Sequence, residues 1–496
     1  MQFHEYKNYD AVGLAELIKK KDVRPSELVE VAFKQLHQVN PALNITTHHR
    51  EQAVKKEADR FPVQGGAFSG VPILMKNLSQ AVEGEKLTSG SKLLQTQVQK
   101  QDTYFVKRFR EAGFLFMGHT NSPEFGLKNI TEPKHYGPTR NPWNPSYSPG
   151  GSSGGAAAAI ASGVIPVAGA SDGGGSIRIP ASFSGLVGLK PTRGRTSVGP
   201  GAGRQWQGAS IHFVLTKSVR DSAAMLDQLQ VVEPHAAFQT PLFENGYQNS
   251  LSEILSKRVR IAFSTESPVG THVSEDAKKA VLQFVRYLEQ RGHLVEEKQP
   301  SVDGVQLMRD YYVMNSGEMN AVVRSLEKAM DVSLTAEDME IEPWLLHQAG
   351  KSLSAADYTD SLASWDRAAE IMSIFHQTYD FYITPAAAFH APKVGELTMT
   401  EQQEKAFKER MAAEKDKQSI IYEMFLPSLT YTPFSQLANL TGQPAISLPL
   451  YVTDDGFPIG VQVMANKGEE HRLLQLAYEM EHNALWKGMQ GNPYFR

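Results

Sequence analysis

The chain has 496 residues, with 39 Gly, 27 Pro and no Cys, enough for one large domain or about three average ones. Its 50 Lys and Arg against 54 Asp and Glu leave a formal charge of −4, with no basic block to track a phosphate backbone, so neither nucleic acid nor an acidic membrane surface is an expected partner. Without cysteine there is no disulfide framework, thiolate zinc site, Cys-ligated iron–sulfur cluster or cysteine nucleophile, and any chemistry falls to oxygen and nitrogen groups.

Met1 to Lys7 contains no apolar targeting core, and the longest apolar stretch, Ala156 to Ala170, is interrupted by Ser162, Gly163 and Pro166. A soluble, cytoplasmic chain without a membrane span is the expectation. Residues 11 to 40 predict two helices, the first with Leu14, Leu17 and Ile18 at helical spacing, the second opened by Arg24-Pro25-Ser26-Glu27. Gly70 to Met75 predicts a buried strand that delivers Lys76 at its end. Phe114 to Met117 and Val164 to Val167 predict further strands. Val259 to Phe263, a helix carrying Val281, Phe284, Val285 and Leu288, and Leu294-Val295 form a βαβ pattern. Residues 305 to 380 read as mostly helical, and 395 to 420, rich in Glu, Lys and Gln, as one solvated helix. Phe381 to Thr384, Ala445 to Leu448 and Ile459 to Val463 predict the closing strands. With no internal repeat or low-complexity linker, the pattern predicts one large α/β domain.

The segment from Gly150 to Gly203 carries the chemistry. Its densest patches, Gly150-Gly151-Ser152-Ser153-Gly154-Gly155 and Asp172-Gly173-Gly174-Gly175-Ser176, flank a helix predicted over Ala156 to Ser162 and closed by Gly163. A phosphate loop needs a Gly-Lys-Ser/Thr ending that neither patch has, and the dinucleotide fingerprint fails because Arg178 stands where its third glycine belongs. Gly150 to Gly154 matches a Gly-x-Ser-x-Gly nucleophile elbow, but Pro142, Pro145 and Pro149 forbid the strand that must precede it. An α/β-hydrolase esterase is therefore a weak alternative. The second patch fits better: successive glycines let backbone N–H groups converge into an oxyanion hole, with the Ser176 hydroxyl beside it. That serine needs a base. Lys76 can be one if burial next to hydroxyls and away from carboxylates keeps it neutral.

The run from Gly150 through Ser176-Ile177-Arg178-Ile179-Pro180-Ala181 to Gly188-Leu189-Lys190-Pro191-Thr192 resembles the amidase signature family, with its two serines 24 residues apart. Thr120 to Phe125, Asn141-Pro142-Trp143-Asn144 and Gly442-Gln443-Pro444-Ala445 extend the resemblance, while 240 to 420 matches loosely. The resemblance implies a central mixed, twisted β-sheet covered by helices on both faces. Along the chain it implies N-terminal helices over 1–60, a signature core over 61–235, a variable helical region over 240–420 and a return to the sheet over 421–496. It further implies a catalytic set of Ser176 as acyl-forming nucleophile, Ser152 in a cis peptide with Gly151 as bridging serine, and Lys76 as neutral general base. Gly173, Gly174, Gly175 and Ser176 match its backbone oxyanion hole. Asp172 and Arg178 match supporting positions, and Ser153 reads as a local backbone hydrogen bonder. Asn77 departs from the acidic residue often found after the lysine. The 15 histidines show no metal spacing, so neither a metal nor a cofactor is expected.

The function so implied is hydrolysis of a small-molecule carboxylic amide through an acyl-enzyme, releasing carboxylate and ammonia or an amine. The alternative is the A subunit of a glutamine-dependent tRNA amidotransferase, against which stands Ile179, where such subunits carry glutamine. Among hydrolases the Asn141 and Ser176 segments look most like the branch containing 6-aminohexanoate cyclic dimer hydrolase, and less like peptide amidases. An acyl pocket is expected from residues after Phe125, from 305 to 350 and from Tyr431 to Gln436, with Phe125, Trp206, Tyr312, Tyr431 and Phe434 as apolar candidates. Assembly stays open between monomer and homodimer.

Overall fold

In the computed structural model, which describes residues 1–62, 66–253, 255 and 258–495, the short apolar runs gather into one mixed sheet. Its strands are β1 (Thr46–His49), β2 (Pro72–Lys76), β3 (Leu115–Thr120), β4 (Val167–Asp172), β5 (Val187–Lys190), β6 (Ile211–Thr216), β7 (Arg260–Phe263), β8 (Leu294–Glu297), β9 (Phe381–Pro385), β10 (Ala445–Val452) and β11 (Pro458–Met464). Their order across the sheet is β1-β3-β2-β4-β6-β5-β10-β11-β9-β7-β8. β2 runs parallel to β3 and β4, and β7 parallel to β8 and β9, while the remaining pairings are antiparallel. Every residue of β2, β3, β4 and β6 is buried, as expected of strands covered on both faces, whereas the edge strand β8 is largely exposed. The molecule is a single α/β domain.

The two N-terminal helices form over Ala11–Lys20 and Pro25–Leu43, and the βαβ unit is completed by the helix Glu275–Gln290. The region from 305 to 380 is three helices, Gly304–Met330, Ile341–Gly350 and Ala355–Thr378. Two expectations need correction. The run Val164 to Val167 is not a strand: Gly163 ends the preceding helix at φ 76°, Pro166 has no N–H for a ladder, and β4 begins only at Val167. The single solvated helix expected over 395 to 420 is two, Glu401–Ala413 and Lys417–Tyr431, because past Lys417 the sequence turns apolar and buries Ile420, Ile421, Met424, Phe425 and Leu429. β1, β5 and β6 were not anticipated, β1 because its sequence Thr-Thr-His-His has no apolar alternation.

Small side chains let the helix Gly154–Ala161 lie directly on neighbouring backbone. A Cβ on Gly155 would stand 2.5 Å from the N and 2.6 Å from the O of Asn121. The contact partners are main chain and cannot rotate away, so Gly155→Ala overpacks the junction. It is expected to destabilise the fold by about 3 kcal/mol, read as a lowered midpoint in urea unfolding.

Candidate active site

Parallel pairing of β2 with β4, through Leu74 and Ala168, brings the C-terminal ends of two buried strands side by side. One end supplies Lys76 and the other Ser171 and Asp172. Lys76 is fully buried, and its Nζ donates to Ser152 Oγ (2.7 Å) and Ser171 Oγ (2.9 Å). Burial pushes the amine down to about 7, against the opposing pull of the Asp172 carboxylate. The expected separation from carboxylates is therefore not met: Asp172 is close enough to be felt, and desolvation outweighs it. Ser152 follows a cis Gly151–Ser152 peptide, and Gly151 is wedged where a Cβ would meet Ile130 O at 2.5 Å. Asn77 turns away from the amine to exchange hydrogen bonds with Thr88 (2.7 and 2.9 Å).

Ser176 lies in the same cavity as Ser152 and Ser171. It is only partly buried, and its hydroxyl has no hydrogen-bond partner among the described residues. The preceding loop is held by its carbonyls. Tyr311 Oη donates to Gly173 O (2.9 Å), Ser435 Oγ to Gly174 O (2.7 Å) and Ile179 N to Gly175 O (2.7 Å). In a trans peptide the N–H points opposite its C=O, so these contacts orient the N–H groups of Gly174, Gly175 and Ser176. One of them departs from expectation: Gly175 N donates to Asp172 Oδ1 (2.7 Å) and is directed away from the cavity. The N–H groups of Gly173, Gly174 and Ser176 make no hydrogen bond among the described residues.

Asp172 and Arg178 form the framework underneath, both with no exposed surface. Arg178 donates to both Asp172 oxygens (3.0 and 2.9 Å), to Ser435 O and Gln462 Oε1 (each 2.7 Å) and to Asn439 Oδ1 (2.6 Å). Asp172 also accepts from Ile177 N (3.1 Å) and Asn439 Nδ2 (2.8 Å). Burial by itself would raise this carboxyl, but the guanidinium and the Asn439 amide hold it well below the usual carboxylate range. Ser153 Oγ bonds Ser171 O (3.3 Å) and accepts from Ser171 N (3.4 Å), tying the first serine turn to β4.

The cavity measures about 450 Å³. Phe125, Trp206 and Tyr312 line it, together with Met308, Tyr311, Asn315, Met319, Val322 and Leu326 of the same helix as Tyr312, and with Thr432 and Gln436. Tyr431 and Phe434 do not: Tyr431 donates to Glu396 (2.5 Å) and packs on Phe389, and Phe434 belongs to the main core. The sequence reading missed Ser171, whose position beside Asp172 at a strand end was the available signal. It also missed Phe425 and Leu429, which lie just past the 395 to 420 segment expected to be a solvated helix. The stretch 140–149 before the first serine turn carries no strand, so the elbow of an α/β-hydrolase is not formed.

Comparison with known proteins places the chain in a family. The amidase family model matches residues 27–474, and the chain belongs to that family, whose members hydrolyse amide C–N bonds. It is 39% identical to lipoamidase of Enterococcus faecalis over 97% of its own length, spanning 64% of that longer protein. It is 34% identical to 6-aminohexanoate-cyclic-dimer hydrolase of Paenarthrobacter ureafaciens, covering 96% of this chain and 95% of that one. The structure of a 6-aminohexanoate cyclic dimer hydrolase complexed with substrate superposes with a TM-score of 0.89 at 30% identity, over 98% of this chain and 99% of that one.

Arg178→Ala leaves Asp172 buried and unpaired, and is expected to destabilise the protein by about 3–5 kcal/mol in urea unfolding. Arg178→Lys does not restore it, since one ammonium cannot reproduce the planar fork.

Proposed function

We propose that the protein hydrolyses a small-molecule carboxylic amide through an acyl-enzyme on Ser176, with Ser152 and Lys76 as the proton path. The observation that carries this reading is a fully buried lysine, pushed down to about 7 and bonded to two hydroxyls, Ser152 and Ser171, that line one cavity with Ser176. Ser176 Oγ attacks the amide carbonyl, its proton passes to Ser152 Oγ, and the Ser152 proton passes to neutral Lys76. The carbonyl oxygen, now negative, takes hydrogen bonds from the N–H groups of Gly174 and Ser176, where desolvation strengthens them. When the C–N bond breaks, the proton returns through Ser152 to the leaving nitrogen. Water then attacks the acyl ester by the same path, freeing carboxylate and Ser176.

The second reading, a tRNA-linked amidotransferase component, draws on 32% identity to the A subunit of the glutamyl-tRNA(Gln) amidotransferase of Prochlorococcus marinus. Two observations speak against it. Ile179 occupies the position where glutamine is expected in such proteins. Glutamine would also bring an ammonium and a carboxylate into the cavity, where Lys128, the one charged residue among the described lining residues, is already paired with Glu342 at 2.9 Å.

Ser176→Ala is expected to lower amide turnover about ten-thousandfold or more with an unchanged circular dichroism spectrum. Retained activity would give the nucleophile to another group. Lys76→Ala should reduce the rate by about a hundred- to ten-thousandfold, measured as amine release. Because Lys76 acts as a base only when neutral, kcat/KM should fall about tenfold per pH unit below about 7 and level off above it. An optimum near pH 4 contradicts the assignment.

A further inference from the structure

Resting on the amide-hydrolase reading, we propose that the substrate's acyl group is an uncharged, unbranched aliphatic chain lying in a slot along the helix Gly304–Met330. Tyr312, Asn315, Met319, Val322 and Leu326 line the cavity at the three- and four-residue spacing of one helix face, with Tyr311 beside the first of them. From Tyr311 to Leu326 that face runs about 22 Å at about 1.5 Å per residue. Its starting point is fixed beside the reacting centre by the Tyr311 hydroxyl on Gly173 O (2.9 Å). Leu127 and Leu429 line the same cavity and share one apolar cluster with Met319, Val322 and Leu326, and Phe425 stacks on Tyr312 with ring centroids 5.0 Å apart, extending the wall that the helix provides.

Shape and charge together select the occupant. A face that continues for four helical turns beyond the catalytic loop is matched by an extended chain, and a short acyl group would leave most of it unfilled. Among the described lining residues there is no Asp, Glu, Arg or His, and the single lysine, Lys128, is neutralised by Glu342. A charged chain would therefore be desolvated without a counterion. The chain belongs to the acyl rather than the amine half because the acyl group stays bonded to Ser176 while the amine departs into water. Met319, Tyr312, Phe425 and Leu429 are buried and suit a group that is retained. Gln205 and Ser210 give the cavity a polar stretch next to the glycine loop, with Ser210 Cβ 3.5 Å from where a Gly173 Cβ would stand.

The test is hydrolysis of p-nitroanilides of straight-chain acids from acetyl to tetradecanoyl, read by nitroaniline release, with N-alkyl acetamides as a mirror series. Each added methylene is expected to raise kcat/KM about fourfold, the effect of about 0.8 kcal/mol per buried CH₂, until the slot is filled. Branched acyl groups of equal carbon number should stay low, and Val322→Trp should move the optimum to shorter chains. A flat profile with Ser176-dependent turnover of the acetyl compound overturns the slot and leaves amide hydrolysis standing. A chain-length dependence confined to the N-alkyl acetamides overturns the acyl placement. Calorimetric binding of decanamide to the Ser176→Ala protein separates the two levels. Binding that Val322→Trp weakens, with no anilide turned over by the wild type, supports the slot and overturns amide hydrolysis, whereas absence of that binding overturns the slot.

Discussion

Two opposite charges buried with no solvent contact, Asp172 and Arg178, organise everything around the reacting groups. Removing such ions from water is unfavourable by several kcal/mol each, and the pair persists only because nearly every lone pair and proton on it is used. Those remaining bonds reach outward: to the glycine loop through Gly175 and Ile177, to the short helix Gln436–Thr441 through Asn439, and to β11 through Gln462. A loop of three successive glycines would otherwise be among the most mobile parts of the chain. Anchored in this way, it presents its N–H groups in a fixed direction.

The same carboxylate acts on the lysine in the opposite sense to burial. Desolvation lowers Lys76 and the Asp172 charge raises it, and burial wins because the amine sits at the end of a strand covered on both faces. What remains is an amine balanced near neutrality, bonded to hydroxyls that need no charge from it. A lysine deprotonated at neutral pH is available as a base, whereas one paired with a carboxylate would stay protonated. His212, buried nearby, is pushed down to about 3 by burial and by the Lys76 charge, so it stays neutral and adds no competing cation.

How much of this was legible in the sequence varies with the range of the contact. Lys76 at the end of Pro72 to Met75, the serine turns and the helix between them were all readable, because each depends on residues adjacent in the chain. The partners of Arg178 were not readable, since Ser435, Asn439 and Gln462 lie 257, 261 and 284 residues away. Ser171 was passed over because its place beside Asp172 at a strand end gains meaning only when β4 is paired with the strand that carries Lys76. The withdrawal of Gly175 from the set of backbone donors follows from its bond to Asp172 Oδ1, which composition and spacing do not encode.

By itself, the sequence determined the α/β class, the two glycine-framed serine turns and the lysine that could serve them, since periodicity, glycine placement and apolar runs act over a few residues. The tertiary structure decided which N–H groups face the cavity, how far the lysine is shifted, and the long apolar face that the helix Gly304–Met330 turns toward Phe425 and Leu429. These follow from burial and from contacts across hundreds of residues, where packing of the whole sheet and its helices fixes distances that no local pattern specifies.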